Sequence, residues 1–207
     1  MRLVTFLRHG RSLADDEQKF EGRYDSPLTE VGRAQARRLA ADWQADEQRR
    51  YDLIVCSPLL RAAETAGIVG ESVGCEPLNE PLWMERDNGR LAGLTFEEGN
   101  GKYPRPEFTD RYTRIAGGTG ESSAGLHGRA ALATEDLMNR TFGRALVVAH
   151  GGILQAAARC VLGIALPLGD SGAWFWFRDL SHLDIAFEQE SDRWTVVEFG
   201  HLSRSDT

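Results

Sequence analysis

The chain has 207 residues, which is enough for one α/β domain with a buried core, and we predict a single domain over residues 1–207. The net charge of −7 argues against a nucleic-acid partner, because proteins that bind nucleic acid usually carry a basic surface. No apolar run approaches the ~18 residues that a membrane helix needs, and the N-terminus lacks a signal-peptide pattern. The sequence therefore predicts a cytoplasmic protein without a membrane partner.

The N-terminal part of the chain predicts a strand, a long loop and a helix. Residues 3–7 are apolar and predict a first buried strand, and a loop follows from residue 10 to about residue 28. Thr29 is a good N-cap for the next helix. The inward face of that helix consists of apolar residues at helical spacing, which are Ala36, Leu39, Ala40 and Trp43.

A second strand–helix pair follows. Leu53–Cys56 is an apolar run that predicts the second buried strand. Ser57 is a good N-cap and Pro58 a good first residue for the helix after it. Cys56 is then a buried strand cysteine, and the wide separation of the three cysteines argues against a disulfide framework or a structural zinc site.

The second half of the chain begins with an irregular stretch. Residues 85–120 are rich in Gly and Pro, and a long loop in a compact domain is usually functional or mobile. A helix is predicted to begin near Ser122, a third buried strand at residues 145–149, and another helix after His150-Gly151-Gly152. Residues 173–177, 183–188 and 194–199 have strand patterns.

This order of elements is typical of an α/β fold. Strands that alternate with helices predict a mostly parallel sheet with helices on both faces. The three patterns near the C-terminus predict antiparallel strands at the sheet edge. We therefore expect a three-layer α/β/α sandwich with a mostly parallel central sheet and antiparallel edge strands.

Cationic and nucleophilic side chains stand at three strand-to-helix junctions. Arg8 and His9 follow the first strand, Arg61 lies in the first turn after the second, and His150 follows the third. Ligands of open parallel sheets bind beyond the carboxyl ends of the strands, where such junctions meet. Two arginines, two histidines and the free N–H groups of helix N-termini predict a site for a tetrahedral dianion.

Four blocks of the sequence resemble the histidine phosphatase superfamily, also called the phosphoglycerate mutase-like family. They read LRHG at residues 7–10, SPLLRAAETA at 57–66, LWME at 82–85 and VVAHGG at 147–152. Secondary matches are LTEVG at 28–32 and GES at 120–122. A bare Arg-His-Gly is a weak signal, but four blocks in the right order are specific.

The resemblance implies a role for each matching residue. His9 would be the nucleophile that becomes phosphohistidine, and Glu85 would be the proton donor to the leaving oxygen. The phosphoryl group would be bound by Arg8, Arg61, His150, Ser12 and Gly151. A neutral imidazole is needed for the attack, and the neighbouring arginine charges are expected to lower the pKa of His9 and favour that form.

The loop after His9 departs from the family pattern. Asp15 stands where the mutase-like pattern prefers Asn, and Arg11 stands where the family often has Glu or Gln. A carboxylate at position 15 would repel a carboxylate or second phosphate of the substrate. The alternatives are that it favours a neutral or cationic leaving group or that it points away. We expect Asp15 and Gly22 to take part in substrate specificity.

The resemblance covers phosphatases and mutases. Little chain separates Glu121 from His150, so the segment that closes over the site in mutases is not expected here, and water can reach the intermediate. The leading prediction is a phosphomonoesterase that acts on a small phosphorylated substrate and needs neither metal nor cofactor. A phosphoglycerate mutase-type phosphotransferase is the first alternative, and a non-enzymatic phosphate-binding or scaffold module is the second.

A homodimer is a further prediction. Residues 173–177 include Trp174, Phe175, Trp176 and Phe177, and an apolar edge strand of this kind could pair with a second subunit.

Overall fold

The computed structural model describes residues 1–107, 109–166 and 173–201. Within these ranges one sheet contains six strands, which are β1 (Arg2–Arg8), β2 (Leu53–Cys56), β3 (Pro77–Asn79), β4 (Arg144–Ala149), β5 (His182–Glu188) and β6 (Arg193–Gly200). The same ranges contain seven α-helices, which are α1 (Leu13–Asp16), α2 (Glu30–Gln44), α3 (Leu60–Val73), α4 (Phe96–Lys102), α5 (Ile115–Gly118), α6 (Ser123–Met138) and α7 (Gly151–Val161).

The strand order is β3-β2-β4-β1-β5-β6. The first four strands in this order are parallel, whereas β5 is antiparallel to β1 and β6 is antiparallel to β5. The predicted sheet is therefore confirmed, with its antiparallel strands at one edge. Arg8 at the end of β1 pairs with Ala149 at the end of β4. The residues that follow these two strands are consequently neighbours.

Two apolar cores lie on opposite faces of the sheet. Successive side chains of a strand point to opposite faces. Phe6 accordingly lies in the core with α6 and α7, and its neighbour Leu7 lies in the core with α2 and α3. Both side chains are fully buried. This arrangement confirms the three-layer α/β/α sandwich.

Side-chain caps define two of the predicted helix starts. Thr29 accepts a hydrogen bond from the N–H of Gly32 at the start of α2, and Ser122 accepts one from Gly125 at the start of α6. None of the helices in the described parts of the chain has the length and apolarity to cross a membrane.

The predicted N-cap at Ser57 is wrong. Helix α3 begins at Leu60, and its N-cap residue Leu59 offers no side-chain hydrogen bond. The carboxylate of Asp25 accepts the N–H of Leu60 instead, over 2.7 Å. A distant loop thus satisfies the helix terminus, and the hydroxyl of Ser57 is left to bond His150.

The predicted strand at residues 173–177 is also wrong. These residues form an irregular segment, so they are not the edge strand on which we based the homodimer prediction. The N–H of Phe177 bonds the carbonyl of Phe175, and the carbonyl of Phe177 accepts a hydrogen bond from Arg8. The backbone groups of Phe177 therefore form a tight turn and a contact with Arg8, rather than hydrogen bonds to a neighbouring strand.

Four short strands or α-helices were missed by the sequence patterns, and one of them is α5 in the stretch predicted as irregular. Strand β3 has only three residues and starts with a proline, which is rare inside strands. Helices α1 and α4 lie in stretches that we predicted as loops. Both begin with a capping box, which pairs Ser12 with Asp15 and Thr95 with Glu98.

Candidate active site

The structure brings the predicted junction residues together at the carboxyl end of the sheet. His9 follows β1 and His150 follows β4, and their ring centroids are 5.0 Å apart. Arg61, the second residue of α3, places its Nε atom 3.3 Å from Nε2 of His9. These three side chains are almost completely buried. Residues that are far apart in sequence are thus brought together because the neighbouring parallel strands β1 and β4 end at paired residues.

A short hydrogen bond fixes the tautomer of His9. Its Nδ1 lies 2.7 Å from the carbonyl oxygen of Gly10, so Nδ1 carries the proton and Nε2 has the lone pair. Burial lowers the pKa of His9 well below its usual value, and the charges of Arg8 and Arg61 lower it further. The expected arginine effect is confirmed, but burial is the larger cause. His9 is therefore a neutral base at neutral pH.

Arg61 is anchored on the side away from His9. Its Nη1 donates to the carbonyl of Tyr24 over 3.0 Å, and its Nη2 donates to the carbonyl of Gly22 over 2.8 Å. Gly22 has a positive φ of 55°, and a Cβ there would overlap the backbone of Arg86. The structure therefore gives Gly22 a role in holding Arg61, and it also places Gly22 in the lining of the adjacent cavity.

Arg8 is held from two sides. Its Nη1 donates to the carbonyl of Phe177 over 3.0 Å and lies 3.4 Å from Asp179, and its Nη2 lies 3.7 Å from Asp15. The side chain keeps 19% of its surface exposed. Arg8 is thus a positioned cation that still faces solvent.

His150 lies between β4 and the N-terminus of α7. Its Nε2 is 2.8 Å from the hydroxyl of Ser57, and no group in the described ranges hydrogen-bonds its buried Nδ1. Burial, and then the charge of Arg61, lower its pKa well below the usual value. Gly151, the first residue of α7, borders the cavity described below.

The carboxylate of Glu85 lies at the start of α7. It accepts the N–H groups of Gly152 at 2.9 Å and Ile153 at 3.1 Å, and the N–H of Arg86 at 2.7 Å. A Cβ on residue 152 would overlap the Glu85 carboxylate, so this close approach requires glycine. Arg129 also donates to the carbonyl of Glu85 over 3.1 Å. The predicted proton donor is therefore held within the site by backbone contacts.

Ser12 and Asp15 form reciprocal hydrogen bonds at the start of α1. Ser12 is the fully buried N-cap of α1, and its N–H and hydroxyl both lie within 3.0 Å of the Asp15 carboxylate. Asp15 is therefore turned toward its own helix start, yet it also borders the cavity. The prediction that Ser12 binds phosphate stays a prediction.

Sequence reasoning missed Glu21. Its Oε1 lies 2.5 Å from the hydroxyl of Ser12 and 3.3 Å from Nε of Arg61, and its Oε2 lies 4.0 Å from Nε2 of His9. Burial raises the pKa of Glu21, although the charge of Arg61 opposes that effect. No motif marks Glu21, because it lies in a loop. The sequence predicted a role in substrate specificity only for its neighbour Gly22.

A cavity of about 580 Å³ opens beside these groups. Its polar end is bordered by Asp15, Glu21 and Glu85. Its other walls are largely apolar and include Phe20, Phe96, Leu126, Ala156, Trp174, Phe175, Trp176 and Phe177. Arg86 and Arg159 also line it, and their buried Nε atoms have no hydrogen-bond partner within the described residues.

One cluster in the described part of the chain has the residue types of a metal site. It consists of His182, Asp184 and Glu198 on β5 and β6. The guanidinium of Arg49 lies among them, with Nη1 2.7 Å from Asp184 and Nη2 3.4 Å from Glu198. Arg49 thus already supplies the positive charge for these carboxylates, and the cluster includes none of the predicted phosphate-binding residues.

A sequence model of the histidine phosphatase superfamily (branch 1) matches residues 4–200. The chain belongs to this superfamily. A metal-independent phosphoserine phosphatase of Arabidopsis thaliana is 32% identical over 158 residues, which are 74% of this chain and 66% of that protein. A probable phosphoglycerate mutase of Enterobacter sp. (strain 638) is 32% identical over 172 residues, which are 79% of this chain and 76% of that protein.

The fold of this superfamily member also matches solved structures. A mycobacterial glucosyl-3-phosphoglycerate phosphatase has a TM-score of 0.77 at 24% identity, and the match covers 96% of this chain and 98% of that chain. This likeness confirms the phosphoglycerate mutase-like sandwich. Because relatives named as phosphatases and as mutases both match, the protein is an enzyme with phosphatase or mutase activity.

Proposed function

We propose that the protein is a metal-independent phosphomonoesterase that acts on small phosphorylated substrates through a phosphohistidine on His9. The observation that carries this proposal is the tautomer of His9. The carbonyl of Gly10 holds the proton on Nδ1, and this leaves the Nε2 lone pair beside Arg61. The Nε–H of Arg61 donates to this nitrogen over 3.3 Å. A neutral imidazole with an unprotonated ring nitrogen next to a cation is suited to attack on phosphorus.

In the first step, Nε2 of His9 forms a bond to phosphorus and the bond from phosphorus to the ester oxygen breaks. Arg8, Arg61 and His150 bind the phosphoryl oxygens and offset their charge. Glu85 gives its proton to the ester oxygen, so that the leaving group departs as an alcohol.

In the second step, water attacks the phosphohistidine. Glu85 takes a proton from the water as the new phosphorus–oxygen bond forms, and the bond from phosphorus to His9 breaks. Inorganic phosphate leaves, and both residues return to their starting states. The charge on phosphorus is balanced throughout by side chains, so the scheme uses no metal ion or cofactor.

The chain between Glu121 and His150 favours hydrolysis over transfer to a second substrate. It consists of α6, β4 and short connections, and no segment is inserted there that would close over the site. The lack of an insertion in this part of the chain supports access of water to the intermediate. The likeness to a named mutase keeps phosphoglycerate mutase activity as the second candidate.

The proposal is tested by trapping the intermediate. Wild-type protein is mixed with p-nitrophenyl phosphate radiolabelled at phosphorus and quenched in alkali, where phosphohistidine survives. We expect label on the peptide that contains His9. His9→Ala is expected to lose the label and to lower turnover by about 10⁴-fold or more, because loss of a nucleophile removes the covalent route.

His201→Ala is the matched control, because it removes an exposed histidine. It should be labelled and active like the wild type. Wild-type turnover in His9→Ala would contradict the mechanism, because the enzyme would then act without this nucleophile. A failure to label His9 under any condition would favour a phosphate-binding module instead. A parallel assay with 3-phosphoglycerate distinguishes release of inorganic phosphate from conversion to 2-phosphoglycerate.

A further inference from the structure

Glu21 is a carboxylate in the site that the mechanism above does not use. Its side chain is only 16% exposed and lies in the loop after α1. Its two oxygens approach the groups that matter most for phosphoryl transfer, with Oε2 4.0 Å from Nε2 of His9 and Oε1 3.3 Å from Nε of Arg61.

These distances put Glu21 where a phosphoryl group has to bind. Phosphorus must lie in line with Nε2 of His9, and its equatorial oxygens must reach Arg61. An ionised carboxylate that already pairs with Arg61 would compete for that cation. It would also repel the dianion strongly, because the two charges would meet in a buried pocket.

The hydrogen bonds around Ser12 point to a proton on Glu21. The Oγ atom of Ser12 lies 2.5 Å from Oε1 of Glu21 and 2.9 Å from Oδ2 of Asp15. Because a hydroxyl has only one proton, Ser12 can donate to only one of these two carboxyl groups. It also accepts the N–H of Asp15. All contacts are satisfied if Glu21 donates to Ser12 and Ser12 donates to Asp15.

The charged groups that face Glu21 act in opposite directions. Burial raises its pKa most, and the negative charge of Asp15 raises it further. Arg61 and Arg8 lower it, as would a hydrogen bond in which Ser12 is the donor, and the net direction is upward. His9 also faces Glu21, but its own pKa is so far lowered that it adds no charge at neutral pH.

We propose that Glu21 determines when the pocket accepts a phosphoryl dianion, because the dianion binds only while the Glu21 carboxyl carries a proton. This inference rests on the phosphate-binding role proposed above for Arg61 and His9. Binding then takes up one proton whenever Glu21 starts ionised. Affinity is greatest below the pKa of Glu21 and falls by about tenfold for each pH unit above it.

Sulfate is the probe for this proposal, since it keeps two negative charges over the whole range from about pH 5 to pH 8. Its dissociation constant is measured by inhibition of p-nitrophenyl phosphate hydrolysis and by calorimetry in buffers of different ionisation enthalpy. For the wild type we expect affinity to fall as pH rises, with uptake of close to one proton at the upper end.

Glu21→Gln is nearly isosteric and removes the titration. We expect this variant to bind sulfate with little pH dependence, and at about pH 8 at least tenfold more tightly than the wild type. Asp16→Asn is the matched control, because it removes one exposed negative charge from α1 and should keep the wild-type slope.

Three results would overturn the proposal. The first is a Glu21→Gln variant that keeps the wild-type slope, which would assign the proton to another group such as His9. The second is weaker sulfate binding by Glu21→Gln at high pH, and the third is no sulfate binding by the wild type at any pH. The outcome is independent of labelling at His9, so failure of the catalytic scheme and failure of this inference can be told apart.

Discussion

The candidate site has two ends that are built in different ways. The buried group around His9 is the phosphoryl end in our proposal, and the aromatic wall of the adjacent cavity is the leaving-group end. At the phosphoryl end, His9, Arg61 and His150 are at most 1% exposed, and each follows or begins a regular element of the fold. At the leaving-group end, Trp174 and Trp176 are 61% and 74% exposed and belong to an irregular segment. The first end is built from the regular elements of the fold, whereas the two tryptophans of the second end are largely exposed to solvent.

This difference suits the two ends to different functions, phosphoryl transfer at the buried end and selection of the leaving group at the exposed aromatic end. Phosphoryl transfer needs groups held in place before the substrate arrives, and buried strand ends provide that rigidity. Exposed aromatic side chains can adapt to different leaving groups, and they supply large apolar surfaces for contact. We therefore expect changes at the two ends to have effects of different size and kind.

Glu85 stands where the two ends meet, and its replacement should have the largest effect. Glu85→Gln cannot protonate a poor leaving group, so we expect kcat/KM for an alkyl phosphate to fall by about 10³-fold. p-Nitrophenolate departs without a proton, so its initial burst should change by less than about tenfold while later turnover slows. Rapid-quench and stopped-flow measurements record the two phases.

Glu76→Gln is the control for this comparison, since Glu76 is an exposed carboxylate outside the cavity. It should leave both substrates unaffected. An equal loss for alkyl and p-nitrophenyl phosphate in the burst phase of Glu85→Gln would remove Glu85 from the role of proton donor.

The aromatic end should give a smaller and substrate-dependent effect. A Trp174→Ala, Trp176→Ala double variant is expected to raise KM for naphthyl phosphate by about 5- to 10-fold, the size of one or two aromatic contacts. KM for methyl phosphate should not change. Tyr112→Ala, which removes an aromatic side chain that is 72% exposed elsewhere, serves as control. Equal changes for both esters would show that these tryptophans act on the fold or on the phosphoryl end.

The smallest expected effect is that of a chelator. Because the proposed mechanism offsets the charge on phosphorus with side chains alone, dialysis against EDTA should leave activity within about twofold of its starting value. A zinc-dependent phosphatase treated in parallel shows that the chelator works. Loss of activity that added metal restores would mean that a cation belongs to the site.

The sequence could predict the phosphoryl end because regular structure creates it. Parallel strands with apolar cores on both faces bring the residues after β1 and β4 together, so Arg8, His9 and His150 could be placed from local patterns. The position of Arg61 could be predicted because it lies in the first turn of the helix that follows β2. Their individual roles in catalysis stay predictions.

The remaining parts depend on contacts between distant segments, which local patterns do not encode. Asp25 rather than Ser57 satisfies the start of α3, across 35 residues of sequence. Glu21 reaches His9 only because its loop folds back over β1. Residues 173–177 contain four consecutive aromatic side chains and have the composition of a strand, but no neighbouring strand pairs with them in the described structure.

The position of Arg61 beside His9 depends on a loop that must fold against it. Arg61 reaches His9 while two of its nitrogens are held by the carbonyls of Gly22 and Tyr24. A newly made or partly unfolded copy, in which this loop has not docked, has no fixed guanidinium beside the nucleophile. Under the proposed mechanism, such a copy would not attack phosphate esters until the loop that contains Gly22 and Tyr24 has docked.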